Sequence, residues 1–477
     1  MIPDIDSQIG ISVYTTKFSG IGGKIRIHPE DFEVSELISK RATNSITNES
    51  GYAVYKLKKK KIDTNHALSG IFRKTGVRLK SLGLKDASAI TEQFVGSPHK
   101  GKSIEDFSTE KYSLTKIGFT KKPLSKKDMI GNNFKIQISD CSDALSSFTE
   151  HNHILNFYGY QRFGSKRPVT HLIGKAILQR DFDMAVDLIL SFTSSYDSAE
   201  NTEIREKLSD KTNYKKYYDK VPSQMDIEKI VLKEMIEHDD SIRAIRAIPL
   251  SLRRFYIQAY ESYIFNKSLS AAFLDGENLF ESQSGDVCFD SKSIIGKFKD
   301  GVEQYLALPF VGYSYYKKTR FDHQISKILI EEEITPKDFF IKEMQEVSSE
   351  GGFRQAAIHC SDYFSNKNKV EFSLSRGSFA TILLREVMKP TDPIVAGFWS
   401  CYFFKIFKSI PIDMIMIPPI IIWIPYVIQS GLAYMKDDSG PTMDWPCRSK
   451  IKPKMNMITP IPLIEYDLTM RILRNFS

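Results

Sequence analysis

Apolar residues recur at two different periods along this chain, and the change from one to the other constrains the fold more than any other feature. The segment IRIHPEDFEVSEL (25–37) alternates apolar and polar positions at Ile25, Ile27, Phe32, Val34 and Leu37, with Pro29 between them. Successive strand side chains point to opposite faces, so this spacing predicts two short strands around a turn. GNNFKIQI (131–138) repeats the alternation at Phe134, Ile136 and Ile138. TNHALSGIF (64–72) instead places Ala67, Leu68, Ile71 and Phe72 at helical spacing behind a Thr/Asn cap. From residue 170 to about 236 the period is helical, with stripes at Leu172, Ile173, Ala176 and Ile177 and again at Ala185, Leu188 and Ile189. A further helix is expected over 251–268, and 371–389 reads as a strand, a Gly turn and a second apolar run of strand or helix. The interval 193–225, rich in Ser, Asp, Glu, Lys and Tyr, reads as a mobile connection or exposed helices. Together these predict a mixed α and β protein with antiparallel character.

Composition narrows the classes. The chain has 477 residues; Lys+Arg 66 against Asp+Glu 58 gives +8, with 42% hydrophobic and 26% charged residues. Those fractions exclude a wholly disordered, collagen-like or all-membrane chain. At roughly 150 residues per domain the length allows about three units, or one domain carrying a large insertion. Five cysteines (Cys141, Cys288, Cys360, Cys401, Cys447) lie far apart, without a CxxC pair or a zinc spacing, so a reducing cytoplasm is the expected compartment. The first residues show no apolar run of signal-peptide length. Lysines cluster at Lys58, Lys59, Lys60 and Lys61 and again at Lys121, Lys122, Lys126 and Lys127, interleaved with Tyr52, Tyr55, Tyr112 and Phe119. A solvated surface accounts for any one such run; the mixture with aromatics suits a nucleic acid better than a membrane.

After Lys389 the character shifts. All three tryptophans (Trp399, Trp423, Trp445) fall there, and 414–435 is an uncharged run of 22 residues. That length meets the criterion for a membrane span, but Pro418, Pro419 and Pro425 would break the helix in lipid. A proline-rich apolar extension packed on the domain, or a poorly ordered tail, is the simpler expectation.

Two stretches could carry chemistry. In GLKDASAITEQ (83–93), Asp86 sits between a cation and small residues that leave room for a substrate, although an Asp in that setting is ordinarily a turn or helix cap. In NFYGYQRFG (156–164), aromatics, amides and Arg162 between two glycines could stack on and hydrogen-bond a splayed base, or could simply pack a core. His151 and His153 lack the carboxylate or cysteine spacing that would complete a metal site.

Read together, these stretches resemble the TruD family of tRNA pseudouridine synthases, in its archaeal and eukaryotic branch. The resemblance runs from about residue 20 to 389, through PEDFEVSE (29–36), GLKDASAITEQ, GNNF (131–134), NFYGYQRFG, RRFYIQAYESYIFN (253–266), GGFR (351–354) and SRGSFATILLRE (375–386). It implies an α+β fold, a pseudouridine-synthase mixed core with an antiparallel sheet at 1–165 and 345–390 and a mainly helical α/β TruD-specific insertion at 166–344; the apolar extension at 391–477 lies outside the family's common extent. It implies isomerisation of a tRNA uridine, expected at uridine-13, with other RNA uridines as further candidate targets, without a cofactor or a metal. The matched positions make Asp86 the catalytic carboxylate, with Arg26, Lys85, Asn156, Tyr158, Gln161 and Arg162 as substrate-binding candidates. Arg26 would pair with Asp86 and keep it ionised; Tyr158, where a Phe is usual, would stack on the uracil. Lys58, Lys59, Lys60, Lys61, Lys121 and Lys122 are candidates for gripping the RNA backbone. Leu155 and Ser375 replace prolines usual in the family, and Ala87 and Ser88 fill positions often basic. Two rivals stand beside this reading: an RNA-binding protein of the same fold that has lost turnover, and a membrane-associated form tethered by the apolar segment.

Overall fold

The alternation at Phe32 and Val34 forms a strand, but its third inward position is the carboxylate Glu36 rather than an apolar residue. Leu37 therefore lies on the opposite face, as a period of two requires. The computed structural model describes residues 1–85, 87–291, 293–315 and 319–399. The chain divides into two units, Met1–Lys405 and Ile406–Ser477, and all described residues belong to the first.

Fifteen strands are formed among the described residues. They are β1 (Gly22–Lys24), β2 (Phe32–Ile38), β3 (Tyr52–Lys59), β4 (Lys80–Ser81), β5 (Ile90–Gly96), β6 (Phe107–Ser108), β7 (Tyr112–Thr120), β8 (Met129–Gln137), β9 (Ser139–Cys141), β10 (Val287–Asp290), β11 (Ile295–Lys297), β12 (Gln304–Phe310), β13 (Gly352–Gln355), β14 (Cys360–Asn366) and β15 (Lys369–Ser375). Nine of them make one sheet in the order β14-β15-β8-β2-β5-β3-β7-β6, with β4 also on β5. Every pairing is antiparallel except β2 with β5, where Glu33 to Ser35 face Ile90 to Glu92 in parallel. The expected mixed core with an antiparallel sheet is thus present.

This sheet is discontinuous in sequence: β14 and β15 complete a surface otherwise built from residues 32–137. Phe372 faces Phe134 across the join, their rings 5.4 Å apart and stacked. Gly131 is needed there, because a Cβ would come within 2.1 Å of the Leu374 carbonyl oxygen. On one face Tyr55, Leu57, Val95 and Leu114 pack against Ala67 and Ile71 of the helix Thr64–Thr75. Its N-cap is Asp63, which accepts the His66 N–H at 3.0 Å, one residue before the cap the sequence suggests.

Between these halves come the helices Thr170–Leu178, Phe182–Ser191, Ala199–Lys207, Asp226–His238, Ser241–Ala247 and Leu250–Leu274, then the antiparallel sheet β11-β10-β12-β13. Residues 352–355 pair with β12, Arg354 opposite Leu308, so the start of the 345–390 segment shares the insertion's sheet. The polar stretch 193–225 includes an ordered helix capped by Ser198 and tied down by a buried network. Arg205 meets Asp197 at 3.0 Å and Glu228 at 2.8 Å, and Arg167 meets Glu228 at 3.2 Å. Buried charges need such partners, and composition alone cannot reveal them. The run 414–435 lies outside the described residues; among the described residues no helix is long and apolar enough to cross a membrane.

Candidate active site

Asp86 lies outside the described residues, but the chain on either side of it is held at several points. The Gln93 side chain donates to the Gly83 carbonyl at 3.1 Å. Thr64 Oγ1 accepts the Lys85 N–H at 3.1 Å and donates to Gln93 Oε1 at 2.9 Å. Lys85 Nζ meets Glu36 Oε1 at 2.7 Å, both side chains buried, while the other Glu36 oxygen takes the Phe94 N–H at 2.9 Å. Lys59 Nζ donates to the carbonyls of Lys85, at 3.2 Å, and Ile62, at 2.9 Å. A loop fixed through both backbone and side chain loses little freedom when substrate arrives, which is the condition for a preorganised catalytic group.

This places two candidate lysines differently from the sequence reading. Lys85, expected to bind substrate, is 6% exposed and engaged by Glu36. Lys59, expected at the RNA backbone, is 1% exposed because it sits on the inward face of β3, where its ammonium caps carbonyls. Neither reaches solvent, and removing a partner would strand a buried charge. Lys58, Lys61, Lys121 and Lys122 are exposed, and half-buried Lys60 is ion-paired with Glu30.

The second motif folds around Arg354. Asn156 joins the end of the insertion's sheet, its N–H bonded to the Ala356 carbonyl at 2.8 Å and its Nδ2 to that of Gln355 at 3.2 Å. The Arg354 guanidinium donates to Asn156 Oδ1 at 3.0 Å, the Asn156 carbonyl at 3.2 Å and the Gly377 carbonyl at 2.8 Å. It lies 3.9 Å from the Tyr158 ring centroid. Arg162 stands 5.0 Å from the same ring and donates to Gln258 Oε1 at 3.4 Å. Burial pulls both guanidiniums below the usual arginine range, Arg162 further affected by Arg354.

Tyr158 is 1% exposed, its backbone read by Asn266, whose Oδ1 accepts the Tyr158 N–H at 2.8 Å and whose Nδ2 donates to the carbonyl at 3.1 Å. Its ring is surrounded by Phe265, Phe310 and Phe379, with centroids 5.7, 5.9 and 6.1 Å away. The ring expected to stack on the uracil is thus enclosed; of its neighbours Phe310 and Phe379 are half-buried, and Phe379 is the N-cap of the helix Ala380–Met388. Gln161 is half-buried on the 3-10 turn Tyr160–Phe163, next to Arg162.

Arg26 completes the set. It adopts a left-handed φ of 61°, with its guanidinium 4.1 Å from the Phe32 ring centroid. Phe32 and Glu36 share one face of β2, so Arg26 marks one end of that face and Lys85 the other. Glu36 faces Asn132 on β8 and Asn132 faces Leu374 on β15, three residues before Gly377. The Glu36–Lys85 pair and the turn gripped by Arg354 therefore lie at the same end of three adjacent strands. His151 stacks face to face on Tyr363, centroids 4.7 Å apart, and burial lowers its pKa.

Comparison with known proteins decides the family. The model described as tRNA pseudouridine synthase D (TruD) matches residues 8–387. The chain belongs to the TruD family. "Probable tRNA pseudouridine synthase D" of Methanococcoides burtonii is 28% identical over 433 residues, covering 81% of this chain and 98% of the relative. The protein of the same name from Pyrobaculum islandicum is 28% identical, covering 83% and 99%. A solved structure from Methanosarcina mazei, described as tRNA pseudouridine synthase D (TruD), superposes with a TM-score of 0.69 at 27% identity, covering 82% of this chain and 99% of that one. As a TruD protein the chain is a pseudouridine synthase of α+β fold.

Sequence reasoning missed several residues of this TruD site. GGFR was legible as a motif, yet only the fold shows Arg354 bridging Asn156 to Gly377. Glu36 was hidden because an acidic residue within an alternating strand reads as an outward position. Glu261, 0% exposed on the helix Leu250–Leu274, has its carboxyl pushed up to about 8 by burial, offset only in part by the Ser349 hydroxyl and the Arg162 charge. Its folded value exceeds the ordinary 4.5, so the folded state holds a proton that the unfolded chain releases. Stability contributed by that proton is complete below about 4.5 and lost as pH rises through about 8. Glu261→Gln, neutral at every pH, is expected to melt near the wild type at pH 5 and above it at pH 8. Thermal denaturation across that range checks this; a difference that stays constant with pH contradicts it.

Proposed function

We propose that this chain isomerises a uridine of tRNA, expected at uridine-13, with Asp86 as the catalytic carboxylate. The observation that carries this reading is the bracing of residues 83–85 by Gln93, Thr64, Glu36 and Lys59, at the same end of the sheet as the Arg354–Asn156–Phe379 cluster. The reaction breaks the bond from N1 to C1′, turns the base and forms a bond from C5 to C1′; the C5 proton leaves and N1 gains one. Atoms balance between substrate and product, so the chemistry needs a positioned carboxylate and a closed pocket rather than a redox partner.

The target base must leave its stack to be detached and turned. The carboxylate then engages the glycosidic carbon, the base or the ribose. Arg26 favours its charged form, as an adjacent cation does. Phe379, beside the enclosed Tyr158, supplies the stacking surface, while Asn156, held by Arg354, offers its amide to the base or to Asp86. Lys58, Lys61, Lys121 and Lys122 are placed to meet phosphates.

Because the C5 proton is lost, tRNA carrying tritium at C5 of uridine reports the reaction directly. Excess protein is expected to release up to one equivalent of tritium per target site in a single turnover. Tight tRNA binding without release would contradict this function and leave an RNA-binding protein that has lost turnover.

A further inference from the structure

The TruD match ends at residue 387, yet the chain returns to the proposed active site after it. Asp392 caps a turn by accepting the N–H groups of Ile394 and Val395 at 2.9 and 3.1 Å. The Ala396 carbonyl then takes the Ile25 N–H at 2.9 Å. The carbonyls of Gly397 and Trp399 accept from Arg26 Nη1 at 3.1 and 2.9 Å.

Three features hold this segment in place. Phe398 is fully buried, edge-on to Tyr160 with centroids 5.9 Å apart. The Lys166 ammonium lies 4.2 Å from the Trp399 ring centroid. Gly397 has a φ of 93°, and a Cβ there would come within 2.2 Å of the Ile25 carbonyl oxygen. Both its conformation and its contact require glycine. A guanidinium has donors in a rigid plane, so two carbonyls on one nitrogen, with Phe32 against the face, restrict its orientation more than either contact alone.

We infer that residues 392–399 form a strap that orients the Arg26 guanidinium, making Gly397 a positioning residue for pseudouridine formation. The inference rests on the proposed pairing of Arg26 with Asp86. Without the strap, Arg26 samples other directions and favours the charged carboxylate less. The carboxylate then protonates at higher pH, and the acid limb of the rate profile moves upward. RNA grip by surface lysines is unaffected, so the loss falls on the chemical step.

The test is the full-length chain with Gly397→Ala, assayed by single-turnover tritium release from pH 4 to 8 beside tRNA affinity. The expected result is an acid limb shifted up by about one unit, a rate up to about tenfold lower on the acid side of that limb and little changed above it, and affinity within about twofold of wild type. Trp399→Ala, which frees the end of the strap without opening the core, is expected to shift the limb in the same direction by less. It decides the question if Gly397→Ala does not fold. In an Arg26→Lys background the same changes are expected to move the limb no further, whereas a general packing defect would act in both backgrounds. Unchanged profiles in folded strap variants overturn the strap. An active Asp86→Asn protein, or an inactive wild type, would instead overturn the reading beneath it.

Discussion

Asp86→Asn is expected to lower single-turnover pseudouridine formation by about 10³-fold or more while tRNA affinity stays within about twofold of wild type. The side chains are nearly isosteric, so what the substitution removes is the charge. An amide can neither attack carbon nor take a proton, whichever route the carboxylate follows. The flanking chain is anchored by Gly83 and Lys85 through Gln93, Thr64, Glu36 and Lys59, and none of those bonds involves residue 86. Folding and RNA grip should therefore survive, which a melting curve and a binding isotherm check. Retained turnover would show that the carboxylate is wrongly assigned.

Arg354→Met is expected to reduce both activity and stability. Methionine fills much of the same volume but leaves the oxygens of Asn156 and the Gly377 carbonyl without their donor. Buried acceptors stripped of a donor cost about 1–3 kcal/mol each, while removing a buried cation returns part of that by relieving its desolvation. A net loss of about 1–3 kcal/mol follows, measurable by denaturant unfolding. The larger effect falls on turnover. Arg354 ties Asn156 to the turn before Phe379, so without it both lose their relative position, and a loss of about 10²-fold is expected. Arg354→Lys, unable to bridge three oxygens in one plane, should recover stability better than rate. Equal recovery of both would show that Arg354 only packs the core.

Much of the fold was legible because period and motif agreed. The alternation at 131–138 became β8, the stripe at 64–72 became the helix Thr64–Thr75, and the helix expected over 251–268 runs Leu250–Leu274. The run after 375 became the helix Ala380–Met388. What escaped were the places where charge is buried. Lys58, Lys59, Lys60 and Lys61 read as one solvated run, yet β3 turns Lys59 inward between exposed Lys58 and half-buried Lys60. Strand period alone would have put Lys59 on the face of Leu57, but its partners, the carbonyls of Ile62 and Lys85, are set by a loop that no local pattern specifies. Lys85 is similar: its neighbour in the sequence is the expected catalytic residue, but its partner in space is Glu36. Arg26 was identified by position in a motif, while the strap that holds it comes from more than 370 residues further along the chain.

Formation of pseudouridine in tRNA by this chain is tested most directly by mapping pseudouridine in bulk tRNA from a strain lacking the endogenous activity, after adding back wild-type protein or Asp86→Asn. New pseudouridine is expected at one position, uridine-13, with wild type and none with the variant. No new pseudouridine with either protein would contradict it.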